Sequence, residues 1–247
     1  MSWKATPSCL FLVALTLVGS AVAKDGVHWS YSGESGPAHW GDLSEAFAAC
    51  SAGRNQSPID IVDPVDADLD PIGLSYRGSA IAVLNNGHTI QVDVGPGNSL
   101  DIEGQTYELL QFHLHSPSEH RVQGKSFPLE AHFVHQNERG ELAVVAVLFR
   151  EGARSHGLAT IGASAPEKVG KSGPVGIPIA GLEIVPAGRT HYRYSGSLTT
   201  PPCTEGVLWL ILKATATVSN EQVATFVKLI GEVARDLQPL NGRLVVD

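Results

Sequence analysis

The chain has 247 residues, with 17 Lys and Arg against 25 Asp and Glu for a net charge of −8, and 43% of it is hydrophobic; that describes a globular protein able to bury a sizeable core as one domain or at most two. The acidic balance, with no run of Lys or Arg, argues against a nucleic-acid or anionic-membrane partner, since both demand clustered positive charge. The 26 Gly and 15 Pro make turns frequent and exclude a bundle of long helices.

The first 23 residues carry Lys4, an apolar run from Cys9 to Val18 and then Ala21-Val22-Ala23. This is the pattern of a secretory signal peptide with an A-x-A cleavage site. The apolar run is shorter than the roughly 20 residues a spanning helix needs. The expectation is a mature domain of 24–247, periplasmic or secreted, with no stable membrane insertion. Cleavage removes Cys9 and leaves Cys50 and Cys203, which an oxidising compartment would join as one disulfide.

Alternation of period two, rich in β-branched and aromatic residues, marks strands at 88–94, 106–115, 129–136, 141–150 and 207–213. Turn clusters such as Asn85-Asn86-Gly87 lie between them, so antiparallel neighbours are expected. The stretch 152–186 shows no clear period beyond a short helix at about 155–161. Val223, Phe226, Val227, Ile230, Val233 and Leu237 recur at helical spacing behind Ser219, with Gln222 three residues on. That predicts a capping box opening an amphipathic helix that runs to Leu237. The fold expected is mainly β, a single domain built on a large sheet with short peripheral helices.

The chemistry lies in Gln111-Phe112-His113-Leu114-His115 and Glu130-Ala131-His132. On a strand, i and i+2 share a face, so His113 and His115 project together. His132 from a neighbouring strand completes a three-histidine set that leaves the fourth tetrahedral position open, the catalytic form of a zinc site. Gln111 shares the face of His113 and Glu130 that of His132, so each is placed to accept the second N–H of its histidine. His135 has the wrong parity and His120 lies outside the paired stretch, so both are read as structural.

Together with Ser118-Glu119-His120, Glu130 to His135, Ser197-Leu198-Thr199-Thr200-Pro201-Pro202, Arg54 to Ile59, Asn85-Asn86-Gly87-His88 and His28-Trp29-Ser30-Tyr31, these motifs resemble the α-class carbonic anhydrases over nearly the whole mature chain. The resemblance implies a large, mostly antiparallel central sheet, with Zn²⁺ on His113, His115 and His132. It implies reversible hydration of CO₂ to bicarbonate by zinc-bound hydroxide. Thr199 would accept a hydrogen bond from that hydroxide and donate to Glu119, while Thr200 helps position bicarbonate. His88 would shuttle the proton, with Tyr31, Asn86 and Gln91 ordering the intervening water. Val134, Val144, Leu198, Val207 and Trp209 would form the apolar wall for CO₂. The partner is thus a small molecule, and the assembly a monomer or homodimer. Two other readings are weighed: a non-catalytic binding module that keeps the sheet, which the retained histidines disfavour, and a zinc hydrolase of small esters. The second would draw on the same metal chemistry, but the chain lacks an H-E-x-x-H base.

Overall fold

The computed structural model describes residues 26–247, so the segment read as a signal peptide lies outside the described residues. The chain opens with short 3-10 turns around two single-turn helices, α1 (Trp40–Leu43) and α2 (Ala49–Ala52). Next come strands β1 (Asp60–Ile61), β2 (Gly73–Tyr76), β3 (Ser79–Asn85), β4 (Ile90–Val94), β5 (Asn98–Ile102), β6 (Gln105–His115), β7 (Arg121–Val122), β8 (Leu129–Gln136) and β9 (Leu142–Glu151). Helix α3 (His156–Ser164), strands β10 (Lys171–Pro178), β11 (His191–Ser197), β12 (Glu205–Leu212) and β13 (Ala216–Val218), and helix α4 (Asn220–Ile230) complete the order.

Eleven strands form one sheet along the path β10-β3-β4-β6-β8-β9-β12-β11, with β13 joined to β9 and β2 attached through β5 to β6. Pairing is mostly antiparallel, as the turn clusters predict; β12 and β13 run parallel to β9. Strands β8 and β9 lie centrally and are buried along almost their full length. One face packs Phe112, Leu114, Phe133 and Val145 against Leu158 and Ile161 of α3 and Phe226 of α4, the main core. Each such side chain removed from water contributes about 1.5–3 kcal/mol. The opposite face carries a second apolar cluster that includes Val134, Val144, Val207 and Trp209. Two sheet faces with different tasks follow directly from period-two alternation along β6 and β8.

Three elements depart from the sequence reading. Helix α4 ends at Ile230, not Leu237, because Gly231 turns the chain at φ 76°. Val233 and Leu237 continue the apolar period but lie beyond the helix. The stretch 152–186 holds β10, whose residues alternate between exposed and half-buried. It is an outer strand that carries Pro174 at an irregularity in its pairing with β3, the setting that admits proline in a sheet. Finally, β4 begins at Ile90, so His88 belongs to the preceding turn.

Candidate metal centre and active site

Strand register builds the site. His113 of β6 stands opposite His132 of β8, and His115 opposite Glu130, while Gln91 of β4 faces His113 from the other side. The three imidazoles present ligand atoms that all lie within 4.8 Å of one another. Each ring is held by its other nitrogen. His113 Nδ1 meets Gln111 Oε1 at 2.9 Å, His132 Nε2 meets Glu130 Oε1 at 2.8 Å, and His115 Nδ1 meets the carbonyl of Val233 at 2.7 Å. The first two are the contacts that strand parity anticipates; the third comes from the chain just past α4. His115 Nε2 is buried and without a hydrogen-bond partner. Such an orphaned atom is costly to bury unless something binds it, and an imidazole lone pair aimed at two others fits a tetrahedral metal.

The electrostatics of His113 and His115 agree with a ligand set, while Glu130 pulls His132 the other way. Burial, reinforced by the neighbouring rings, holds the pKa of His113 well below the ordinary imidazole value, and burial also lowers that of His115. Both shifts favour the neutral imidazole, the form a ligand needs. Burial alone would raise the Glu130 carboxyl, but His120 and His132 outweigh it and hold it well below the usual carboxylate range. His132 is pulled down by burial and up by Glu130, with a net rise.

Glu119 is buried beside this set. Its Oε2 lies 3.6 Å from His115 Nε2 and 3.8 Å from His132 Nδ1, and its Oε1 accepts the backbone N–H of Arg235 at 2.9 Å. The expected hydrogen bond from Thr199 is absent among the described residues: Glu119 Oε2 has no partner, and Arg235 takes Oε1. The sequence reading missed Arg235. Its guanidinium donates to Gln56 Oε1, Ser57 O and Cys50 O. No local pattern marks this arginine, although only 3% of it is exposed.

Thr199 is buried and Thr200 half-buried in the turn between β11 and β12, which is closed by Leu198 N–H to Thr204 O and Cys203 N–H to Thr200 O. Cys50 and Cys203 are bonded, so the disulfide expected from the cysteine count pins this turn to α2. Val134, Val144 and Trp209 fall in one row across β8, β9 and β12. Val207 joins them in the same apolar cluster, and Leu198 packs against it.

His88 stacks on Trp29 at a centroid distance of 3.7 Å and 9° between planes. Burial, then the charge of His28, lowers its pKa. Asn86 Oδ1 accepts the N–H groups of His88 and Thr89, an Asx turn that fixes the loop. Gln91 donates to Asp93. The hydroxyl of Tyr31 is buried and without a partner. His135 lies with the opposite face, its Nε2 2.8 Å from the Tyr76 hydroxyl, and burial pushes its pKa down to about 4. Among the described residues no helix is long and apolar enough to cross a membrane.

A mostly antiparallel sheet that presents three convergent imidazoles beside an apolar cluster defines a protein able to hold a metal ion. Comparison with known proteins narrows the class. A family model described as eukaryotic-type carbonic anhydrase matches residues 35–247. The carbonic anhydrase of Pectobacterium carotovorum is 46% identical over 94% of this chain and 96% of its own. The structure of the Photobacterium profundum α-carbonic anhydrase is 47% identical with a TM-score of 0.84, over 89% of this chain and all of that one. The α-carbonic anhydrase of Thermovibrio ammonificans, solved in complex with the inhibitor sulfanilamide, is 45% identical with a TM-score of 0.87, over 90% and 100%. The chain belongs to the α-carbonic anhydrases, a family of enzymes.

Proposed function

We propose that this protein is exported and catalyses the reversible hydration of CO₂ to bicarbonate and a proton with Zn²⁺ held by His113, His115 and His132. The observation that carries the reading is the convergence of three imidazole nitrogens within 4.8 Å, one of them buried with no other partner. Zinc held there would supply a Lewis acid able to acidify water near neutral pH, a property for which carbonic anhydrase is itself the standard example.

The chain supplies the rest. Gln111, Glu130 and the Val233 carbonyl fix which nitrogen of each ligand faces the metal. Val134, Val144, Leu198, Val207 and Trp209 offer CO₂ an apolar surface and no competing hydrogen bonds, which suits a small uncharged substrate. Thr199 and Thr200 orient the oxygens of bicarbonate from the loop held by the disulfide. Each turnover releases one proton, which His88 takes up and passes to buffer, a role for which imidazole is the suited side chain. Tyr31, with its free hydroxyl, and the amide N–H groups of Asn86 and Gln91 order water on that route. The disulfide supports export, since such bonds persist in oxidising compartments.

Stopped-flow CO₂ hydration, with zinc content measured on the same sample, tests the proposal. Fast turnover that a chelator abolishes and added zinc restores is expected. An inactive sample with a full complement of zinc would overturn it.

A further inference from the structure

A continuous line of buried hydrogen bonds runs from His132 to the loop carrying Leu198, Thr199 and Thr200. Glu130 Oε1 accepts from His132 Nε2 at 2.8 Å and from His120 Nδ1 at 2.7 Å, and Glu130 Oε2 accepts the backbone N–H of His120 at 2.9 Å. His120 Nε2 lies 2.7 Å from the Tyr194 hydroxyl, which is 2.7 Å from Ser57 Oγ. Ser57 Oγ accepts the N–H of Ser197 at 3.1 Å, and Ser57 N–H returns to Ser197 Oγ at 2.9 Å. Ser197 Oγ then donates to the carbonyl of Leu198 at 2.8 Å.

The direction of the line follows from proton counting. A carboxylate only accepts, so His120 Nδ1 donates to Glu130, and in that tautomer Nε2 is the acceptor. The Tyr194 hydroxyl therefore donates to His120, and Ser57 donates to Tyr194. Ser57 then takes Ser197 N–H on its free lone pair. Each hydroxyl has one proton and each is used once, so donors and acceptors match all along the line, with Glu130 accepting from both sides. Ser57, His120, Glu130, Tyr194 and Ser197 are all at most 2% exposed, so water does not compete. The backbone is shaped to admit it: a Cβ at Gly196 would collide with Ser57 Oγ and come within 2.8 Å of Tyr194 Cε2 and Trp209 Cδ1. Trp209 Nε1 donates to Ser197 O at 2.9 Å and closes the junction.

We propose that Tyr194 and Ser57 are positioning residues that tie the orientation of metal ligand His132 to the placement of the Leu198–Thr204 loop, so that a disturbance at one end is felt at the other. This rests on the zinc reading of the histidine set. It follows from linkage: two ends that bias one hydrogen-bonded arrangement must influence each other reciprocally.

The test crosses the ends, using zinc-loaded protein. Tyr194→Phe removes only the hydroxyl; amide exchange at 198–204 should quicken several-fold, and release of zinc to a chelator should quicken about tenfold, the lower range for groups behind a metal ligand. Ser57→Ala, which lies at the loop end, should also speed zinc release several-fold. Tyr192→Phe on the same strand should leave both readouts at parent values. Parent-like zinc release in Ser57→Ala, or parent-like exchange at 198–204 in Tyr194→Phe, overturns the proposal. Should Tyr194→Phe fail to fold, the zinc release of Ser57→Ala decides alone. Neither readout involves CO₂, so a zinc-binding protein that fails to hydrate CO₂ would sink the functional proposal and leave this one to its own test.

Discussion

His88 shows what one residue can carry and how much of it is local. It follows an Asx turn, stacks on Trp29 and is half-buried, and burial, then His28, keeps its pKa below the ordinary imidazole value of 6.5. A lowered pKa leaves more free imidazole at any pH in the acid range. Proton uptake by His88 should therefore persist as pH falls past 6.5 and fail only at lower pH. His88→Ala should reduce turnover in dilute buffer by on the order of 100-fold, the usual scale for a lost proton-transfer group, with recovery when imidazole is added. Stopped-flow rates at low and high buffer check this, and a variant that matches its parent in dilute buffer would remove His88 from the route. The placement of His113, Gln111, Glu130 and His132 was legible because strand parity is a local rule. The roles of Val233 and Arg235 were not, since they meet His115 and Glu119 from 118 and 116 residues away, and no local pattern points to either contact.

At the scale of elements, the capping box of α4 was readable in full and its far end was not. Ser219 Oγ accepts Gln222 N–H, and Gln222 Oε1 accepts Ser219 N–H. Gln222 also reaches α3, taking Ser155 N–H at 2.8 Å and donating to Ser155 O at 2.7 Å. One side chain thus ties together the starts of two helices that cover the main core. Ser219→Ala should cost about 1 kcal/mol as an ordinary N-cap loss. Gln222→Ala should cost more, on the order of 2–3 kcal/mol, because it also strands buried groups at the start of α3. Urea denaturation of both variants gives the comparison, and equal losses would mean that the link to α3 contributes nothing. The predicted run to Leu237 failed because Val233 is apolar for another reason: beyond Gly231 it is buried, and its backbone carbonyl meets His115. Strand β10 was invisible because Gly173, Pro174 and Gly176 interrupt it and leave only Val175 and Ile177 to face the core.

For the whole molecule, the largest single constraint on the chain is the Cys50–Cys203 bond, which spans 153 positions. Its existence was legible from the cysteine count, whereas the polar brace beneath it was not. Arg235 donates to Cys50 O at 2.9 Å and to Gln56 Oε1 at 2.9 Å, and Gln56 Nε2 donates to Cys203 O at 3.0 Å. The two joined segments are therefore held together twice, once covalently and once through buried charge-assisted hydrogen bonds. The covalent link acts mainly on the unfolded chain, where closing a loop of this length is worth about 5 kcal/mol in the chain-entropy model. The brace acts on the folded one. The double variant Cys50→Ser, Cys203→Ser should accordingly lose up to about 5 kcal/mol in urea denaturation, with a steeper transition because its unfolded chain expands further. Below that transition the proposed zinc binding and CO₂ hydration should survive, since Arg235 and Gln56 still seat the Thr199 loop. Zinc loss from the folded variant would show instead that the loop depends on the covalent bond, and would move the disulfide from a stabiliser of the fold to a part of the site.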